Sequence, residues 1–208
     1  LHDALPILSF YALFYYQRAA ALRPYDPKMW QAVGSCYAKM GRIEQSIKSL
    51  KRALVAGSYY TEDPTQDGGQ GRKILDPETL HQIALLYERV GDEDEAAAYM
   101  ELTVAQESGQ TISEDDYPSS DDNDDTQSAR PNRRSSHSFQ NDDEEDSWHG
   151  TGVTATTSKA RLWLARWALR MGDLDRADQL AGELCQDGVE VEEAKALMRD
   201  VRARKEGG

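Results

Sequence analysis

A chain of 208 residues with 39% apolar and 29% charged side chains has room for one compact unit or a short run of repeats, and a large multidomain enzyme is excluded. The formal net charge is −13, and residues 113–147 account for −9 of it through twelve acids against three bases, leaving −4 for everything else. By that balance neither part supplies the excess of Lys and Arg that nucleic acid or an anionic membrane requires, so proteins are the expected partners, with no nucleic acid and no membrane.

The chain starts with Leu1 rather than Met, and residues 1–7 resemble a translated sequencing-adapter remnant. Residues 1–8 are therefore expected to be a non-native leader on a fragment. The longest apolar stretch, near residues 5–16, is too short to span a bilayer and lacks the basic start of a signal peptide. Two distant cysteines, Cys36 and Cys185, and the absence of an Asn-x-Ser/Thr acceptor fit reduced thiols in a soluble, intracellular protein. Residues 9–22 then read as one helix, with Ala12, Tyr16 and Ala19 in register and Pro24 closing it.

From Pro27 the order Trp30, Val33, Gly34, Tyr37, Gly41, Ser46, Leu50, Ala53 spells a helix, a glycine break and a second helix. From Pro77 the same order returns fifty residues later as Leu80, Ile83, Ala84, Tyr87, Gly91, Ala96, Met100 and Thr103. A less faithful copy follows in Leu164, Ala165, Ala168, Gly172, Ala177, Ala181 and Leu184. Small residues at Gly34 and Ala84 let paired helices approach, and Asp26-Pro27 and Asp76-Pro77 place a capping carboxylate before a first-turn proline. The predicted fold is all-α, with stacked hairpins whose packing rests on Trp30, Gly34, Tyr37, Ala53, Ala84 and Tyr87.

Two stretches interrupt the repeat. Residues 58–75, rich in Asp, Gly and Pro, read as a surface loop. Residues 108–157, rich in Ser, Asp and Asn, lack the aliphatic side chains that could offset the entropy of ordering, and a disordered acidic insertion is expected. The helix at 159–171 is apolar nearly all round, which implies burial on more than one side. Its Trp163 and Trp167 either contact another subunit or seal the stack together with a last helix at 190–205.

No catalytic constellation emerges. Of His2, His81, His137 and His149, only His81 lies on a predicted helix, and it has no metal-ligand partner at helical spacing; a solvated or groove face suits it. Gly68-Gly69-Gln70-Gly71-Arg72-Lys73 lacks the Gly-Lys-Ser/Thr ending of a phosphate loop, and the acidic runs lack calcium-loop spacing. No cofactor or metal is expected. Ser113 and Ser119 each precede a carboxylate three residues on, and Ser136 follows Arg133-Arg134-Ser135, so these three are candidate phosphorylation sites. If the first helices of the hairpins line a concave groove, Lys28, Gln31, Ser35 and Lys39, then Glu78, Gln82 and Arg89, point into it as candidate peptide contacts.

The spacing of Trp30, Gly34, Tyr37 and Ala53 is similar to the tetratricopeptide repeat, with Val33 for Leu, Ser46 for Ala and Leu80 for Trp as departures. This divides the chain into repeats at 9–107 with a loop at 58–75, the insertion at 108–157, and a final repeat and capping helix at 158–205. The run Tyr11-Ala-Leu-Phe-Tyr-Tyr-Gln-Arg-Ala-Ala-Ala-Leu-Arg-Pro-Tyr-Asp-Pro27, leading into Trp30, Gly34 and Tyr37, closely resembles the carboxy-terminal repeats of the anaphase-promoting complex subunit 8 family. Residues 192–199 look like that family's closing helix. The resemblance implies a non-catalytic, superhelical scaffold of a ubiquitin ligase in the nucleus and cytoplasm, acting in cell-cycle control. It also implies a homodimer in full-length form, and partners among the other subunits of that complex and coactivator tails. Rival readings are a cochaperone-type adaptor for acidic tails and a repeat module of a larger enzyme.

Overall fold

Eight helices follow one another in the computed structural model, which describes residues 4–58, 75–108 and 151–207. They are α1 (Ala4–Leu22), α2 (Pro27–Lys39), α3 (Ile43–Ser58), α4 (Pro77–Val90), α5 (Glu93–Ala105), α6 (Ala155–Met171), α7 (Leu174–Asp187) and α8 (Val191–Gly207). The described residues contain no strand, and none of their helices is long and apolar enough to cross a membrane. Most of the loop at 58–75 and of the insertion at 108–157 lies outside the described residues, together with Ser113, Ser119 and Ser136.

Helix α1 starts at Ala4, inside the stretch set aside as a leader. Ala and Leu favour helix, and Pro6 sits in the first turn, where its missing N–H has no intrahelical partner to lose. Helix α6 starts at Ala155, inside the stretch expected to be insertion. Its start is fixed by a capping box in which the Thr154 side chain accepts from Thr157 N–H and the Thr157 hydroxyl accepts from Thr154 N–H.

Helices pair as α2–α3, α4–α5 and α6–α7, each pair joined by a glycine turn. At Gly91 (φ 90°) and Gly172 (φ 84°) the backbone is left-handed, which an L side chain resists. The N–H of Asp92 then reaches back to Tyr87 O (3.1 Å) and that of Asp173 to Ala168 O (2.9 Å); Arg42 N–H makes the matching bond to Tyr37 O (2.9 Å). Carboxylates at Asp26, Asp76, Asp92 and Asp173 cap the helices that follow them.

Successive hairpins stack, α3 against α4 and α5 against α6, and α8 closes on α6 and α7. One core runs through Leu50, Leu80, Ile83, Met100 and Leu164, all at most 2% exposed. A second joins Leu162, Ala165 and Leu184 to Ala194, Leu197 and Val201 of α8. Burial of each such Leu or Ile contributes about 1.5–3 kcal/mol. The two faces of α6 are thereby assigned: Trp163 and Trp167 stack on each other (6.4 Å) and pack against the second hairpin, while Leu162, Ala165 and Leu169 meet the last hairpin and α8. Trp163 and Trp167 are half-buried there, and α8 is sealed by aliphatic residues.

Arg161 is also buried, in a stretch that reads as apolar. Its guanidinium pairs with Glu107 at the end of α5 and with Asp187 and Glu183 on α7. Beside it, Gln106 gathers the roots of both interruptions. Its Oε1 accepts from Leu75 N–H (2.9 Å), its Nε2 donates to Leu102 O (3.1 Å), and its carbonyl accepts from Thr151 N–H (3.0 Å). Gly152 N–H bonds Glu107 O at 3.3 Å.

Candidate docking face of the first helices

The predicted contact residues divide according to where α2 and α4 hold them. Lys28 is exposed in the first turn of α2, and Lys39 is exposed in its last turn. Gln31 and Ser35 are half-buried between them. On α4, Glu78 and Arg89 are exposed at opposite ends, and Gln82 is half-buried with its amide 3.4 Å from Glu78.

Gln31 is committed to the fold. Its Nε2 donates to Asp76 Oδ2 (2.7 Å) and to Thr79 Oγ1 (2.6 Å), tying the first hairpin to the cap of the second. Asp76 Oδ2 also accepts from the Thr79 N–H (3.1 Å) and hydroxyl, so its charge is spread over several donors.

The fifty-residue offset gives the equivalents of Gln31 and Ser35 as His81 and Leu85, not Gln82. His81 is half-buried and Leu85 is 38% exposed. Burial, and then the charge of Lys159, hold the His81 imidazole below the usual histidine range, with Glu88 pulling the other way. Glu88 in turn accepts from the Trp163 indole N–H at 2.7 Å, and Arg170 on α6 reaches Glu93 at 3.2 Å. The repeat register alone points to His81 and Leu85, whereas Gln82 stands out only by its polarity.

Between the start of α2, the end of α3 and the start of α4 lies a cleft of about 600 Å³. Pro27, Ala53, Leu54, Gly57, Leu75 and Pro77 give it apolar walls, with Lys28 on one rim and Glu78 on the other. Among the described residues no cluster of His, Cys, Asp or Glu is placed to hold a metal ion. Cys36 is buried, which pushes its thiol up and away from nucleophilic use.

The packing residues explain why this face is presented. A Cβ on Gly34 would lie 2.8 Å from Leu50 Cγ and 2.9 Å from Leu50 Cδ2, so glycine sets the α2–α3 distance. Trp30 is half-buried, donates its indole N–H to Pro24 O (2.8 Å), and carries the Arg52 guanidinium 4.1 Å above its ring. Tyr37 accepts from Gln17 Nε2 (2.8 Å) on α1. Ala53 and Ala84 are buried, and Tyr87 stacks on Tyr99 at 5.5 Å with the Lys51 ammonium over both rings.

The tetratricopeptide repeat model matches residues 27–54 and 77–103, which are the α2–α3 and α4–α5 hairpins. These segments are tetratricopeptide repeats. Compared with curated proteins, the chain matches none. Stacked tetratricopeptide repeats are protein–protein interaction modules, because each hairpin leaves one helix face uncovered beside its neighbour's.

Proposed function

We propose that this chain is a non-catalytic docking scaffold, a subunit of the anaphase-promoting complex ubiquitin ligase that holds other subunits and coactivator tails during the cell cycle. The observation that carries the docking role is the pair of tetratricopeptide hairpins whose first helices, α2 and α4, border one cleft at their starts, with the end of α3 as its third wall. The assignment to that complex rests on the resemblance of residues 11–27 and 192–199 to subunit 8 of it. Localisation in nucleus and cytoplasm, and dimerisation of the full-length protein, belong to the same proposal. The adaptor reading is weakened by Gln31, whose amide is engaged with Asp76 and Thr79 rather than turned to a ligand.

Affinity purification of the native full-length protein followed by mass spectrometry tests this. Other subunits of the ligase are expected in stoichiometric amounts. Their absence, with a different set of stable partners recovered, would overturn the assignment.

A further inference from the structure

Helix α1 exposes more large apolar side chains than any other described helix, and the repeat shows which of them should be covered. A shift of 34 residues sets Ala12, Tyr16 and Ala19 on Ser46, Leu50 and Ala53 of α3, and a further 50 sets them on Ala96, Met100 and Thr103 of α5. The contacts agree. Helix α1 packs on α2 as α3 packs on α4 and α5 on α6, so it stands where the second helix of a hairpin stands.

One side of α1 is filled accordingly. Leu13 and Ala20, the equivalents of Ile47 and Leu54, are buried, and Leu13 packs with Val33 and Cys36 of α2. The other side is open. Tyr15 and Tyr16 are 67% and 39% exposed, whereas their equivalents, Ser49 and Leu50 in α3 and Tyr99 and Met100 in α5, are all buried. Leu50 and Tyr99 face the first helix of their own hairpin: Leu50 fills the space that a Cβ on Gly34 would need, and Tyr99 stacks on Tyr87 at 5.5 Å. Nothing described plays that part for α1, and an end of a repeat stack with an apolar stripe left open calls for a cover.

We infer that in the full-length protein the stripe of Tyr15 and Tyr16 is covered by a further helix of the same chain, lying just ahead of Ser9 and antiparallel to α1. That helix carries a small residue against Tyr16, as Gly34 does against Leu50, and three places later an aromatic residue that stacks on Tyr15, as Tyr87 does on Tyr99. Each complete hairpin takes its first helix from the residues directly before its second, across a turn at 40–42, 91–92 or 172–173, and the same order supplies it here. Residues 1–8, expected to be a non-native leader, occupy the place of that turn. A partner protein or a second copy lying on α1 would not stop at the stripe. It would also cover Phe10, Tyr11 and Phe14, whose equivalents in α3 are the exposed Glu44, Gln45 and Lys48. The cover is independent of the ligase assignment, and it withdraws the stripe from partner docking, leaving that role to the first-helix face.

The natural reading frame gives the first test. Nine places before Ser9 it should hold Gly or Ala, as at Gly34 and Ala84, and six places before Ser9 an aromatic residue, as at Tyr37 and Tyr87. A charged or bulky residue at the first place, or a non-aromatic one at the second, would overturn the inference. Hydroxyl-radical footprinting of the purified full-length protein, read by mass spectrometry, then measures the cover itself. Oxidation of Tyr15 and Tyr16 should fall to the level of buried Tyr99, while Phe10, Tyr11 and Phe14 stay as reactive as in the present chain, at every protein concentration. Equal oxidation of Tyr15 and Tyr11 would sink the idea. Protection of all five rings, or protection that appears only at high concentration or only with other proteins present, would also sink it, in favour of a second copy or a partner. The measurement uses the unaltered sequence, so no variant has to fold. Recovery or loss of partners in the purification bears on the docking role alone.

Discussion

The Gln31 amide on α2 donates to the carboxylate of Asp76, the cap of α4, across 2.7 Å. One side chain thus links the first helix of one hairpin to the start of the next hairpin. Gln31→Ala should cost about 1 kcal/mol, the net worth of a part-buried hydrogen bond. Gln31→Glu should cost more at neutral pH, because two carboxylates would face each other. Urea denaturation checks both, and an alanine variant as stable as the parent would mean that the contact adds nothing to hairpin stacking.

Gly34 sets a second, tighter constraint. Its missing Cβ leaves room for Leu50, and its carbonyl accepts from the buried Ser46 hydroxyl at 2.8 Å. Gly34→Leu should overpack the hairpin and cost about 1–3 kcal/mol or more. Adding Leu50→Ala should recover part of that loss, since the clash is with the Leu50 side chain. A thermal melt of the double variant no higher than that of Gly34→Leu alone would place the strain elsewhere.

The contrast between these two residues shows what the sequence makes legible. Gly34 and its counterpart Ala84 stand fifty residues apart at one repeat position, so periodicity alone exposes them. Gln31 has no such signature: its partner lies 45 residues away across the first interruption, and nothing in local pattern says an amide will be captured. Arg161 is hidden for the same reason, its carboxylates lying 26 and 54 residues distant, on α7 and just past the end of α5. Charge segregation escapes for another reason. Outside the acidic run a basic hairpin cancels an acidic one, so the net charge of the remainder conceals both. The face of the first helices was therefore legible in outline, with Lys28, Lys39, Glu78 and Arg89 exposed on it, but not in its chemistry.

The roots of the larger interruption make deletion a strict test. Thr151 N–H bonds Gln106 O at 3.0 Å and Gly152 N–H bonds Glu107 O at 3.3 Å, so the two ends already lie side by side. Replacing residues 114–147 with a short Gly/Ser linker should leave the melting temperature and the absolute helical signal nearly unchanged. Shortening a flexible connection changes closure entropy only logarithmically. Circular dichroism and calorimetry measure both, and loss of a cooperative transition would show that the removed residues belong to the core.

His81 gives the acid side of the stability curve its own signature. Burial first and Lys159 second lower its pKa in the folded chain, against Glu88. In the unfolded chain it titrates near the ordinary value of about 6.5. Above that pH both states are neutral at this position, so His81 adds no pH dependence. As the pH falls below it, the unfolded state takes up the proton first, and stability is lost until the folded imidazole also protonates. His81→Gln should therefore be relatively more stable than the parent below about pH 6.5, with a constant difference above it. Lys159→Gln should raise the pKa of the folded imidazole and shrink the effect, while Glu88→Gln should enlarge it. Titration of the His81 ring by NMR, together with denaturation from pH 5 to 8, separates these cases. A His81→Gln difference independent of pH would mean that the ring is as well solvated in the fold as out of it.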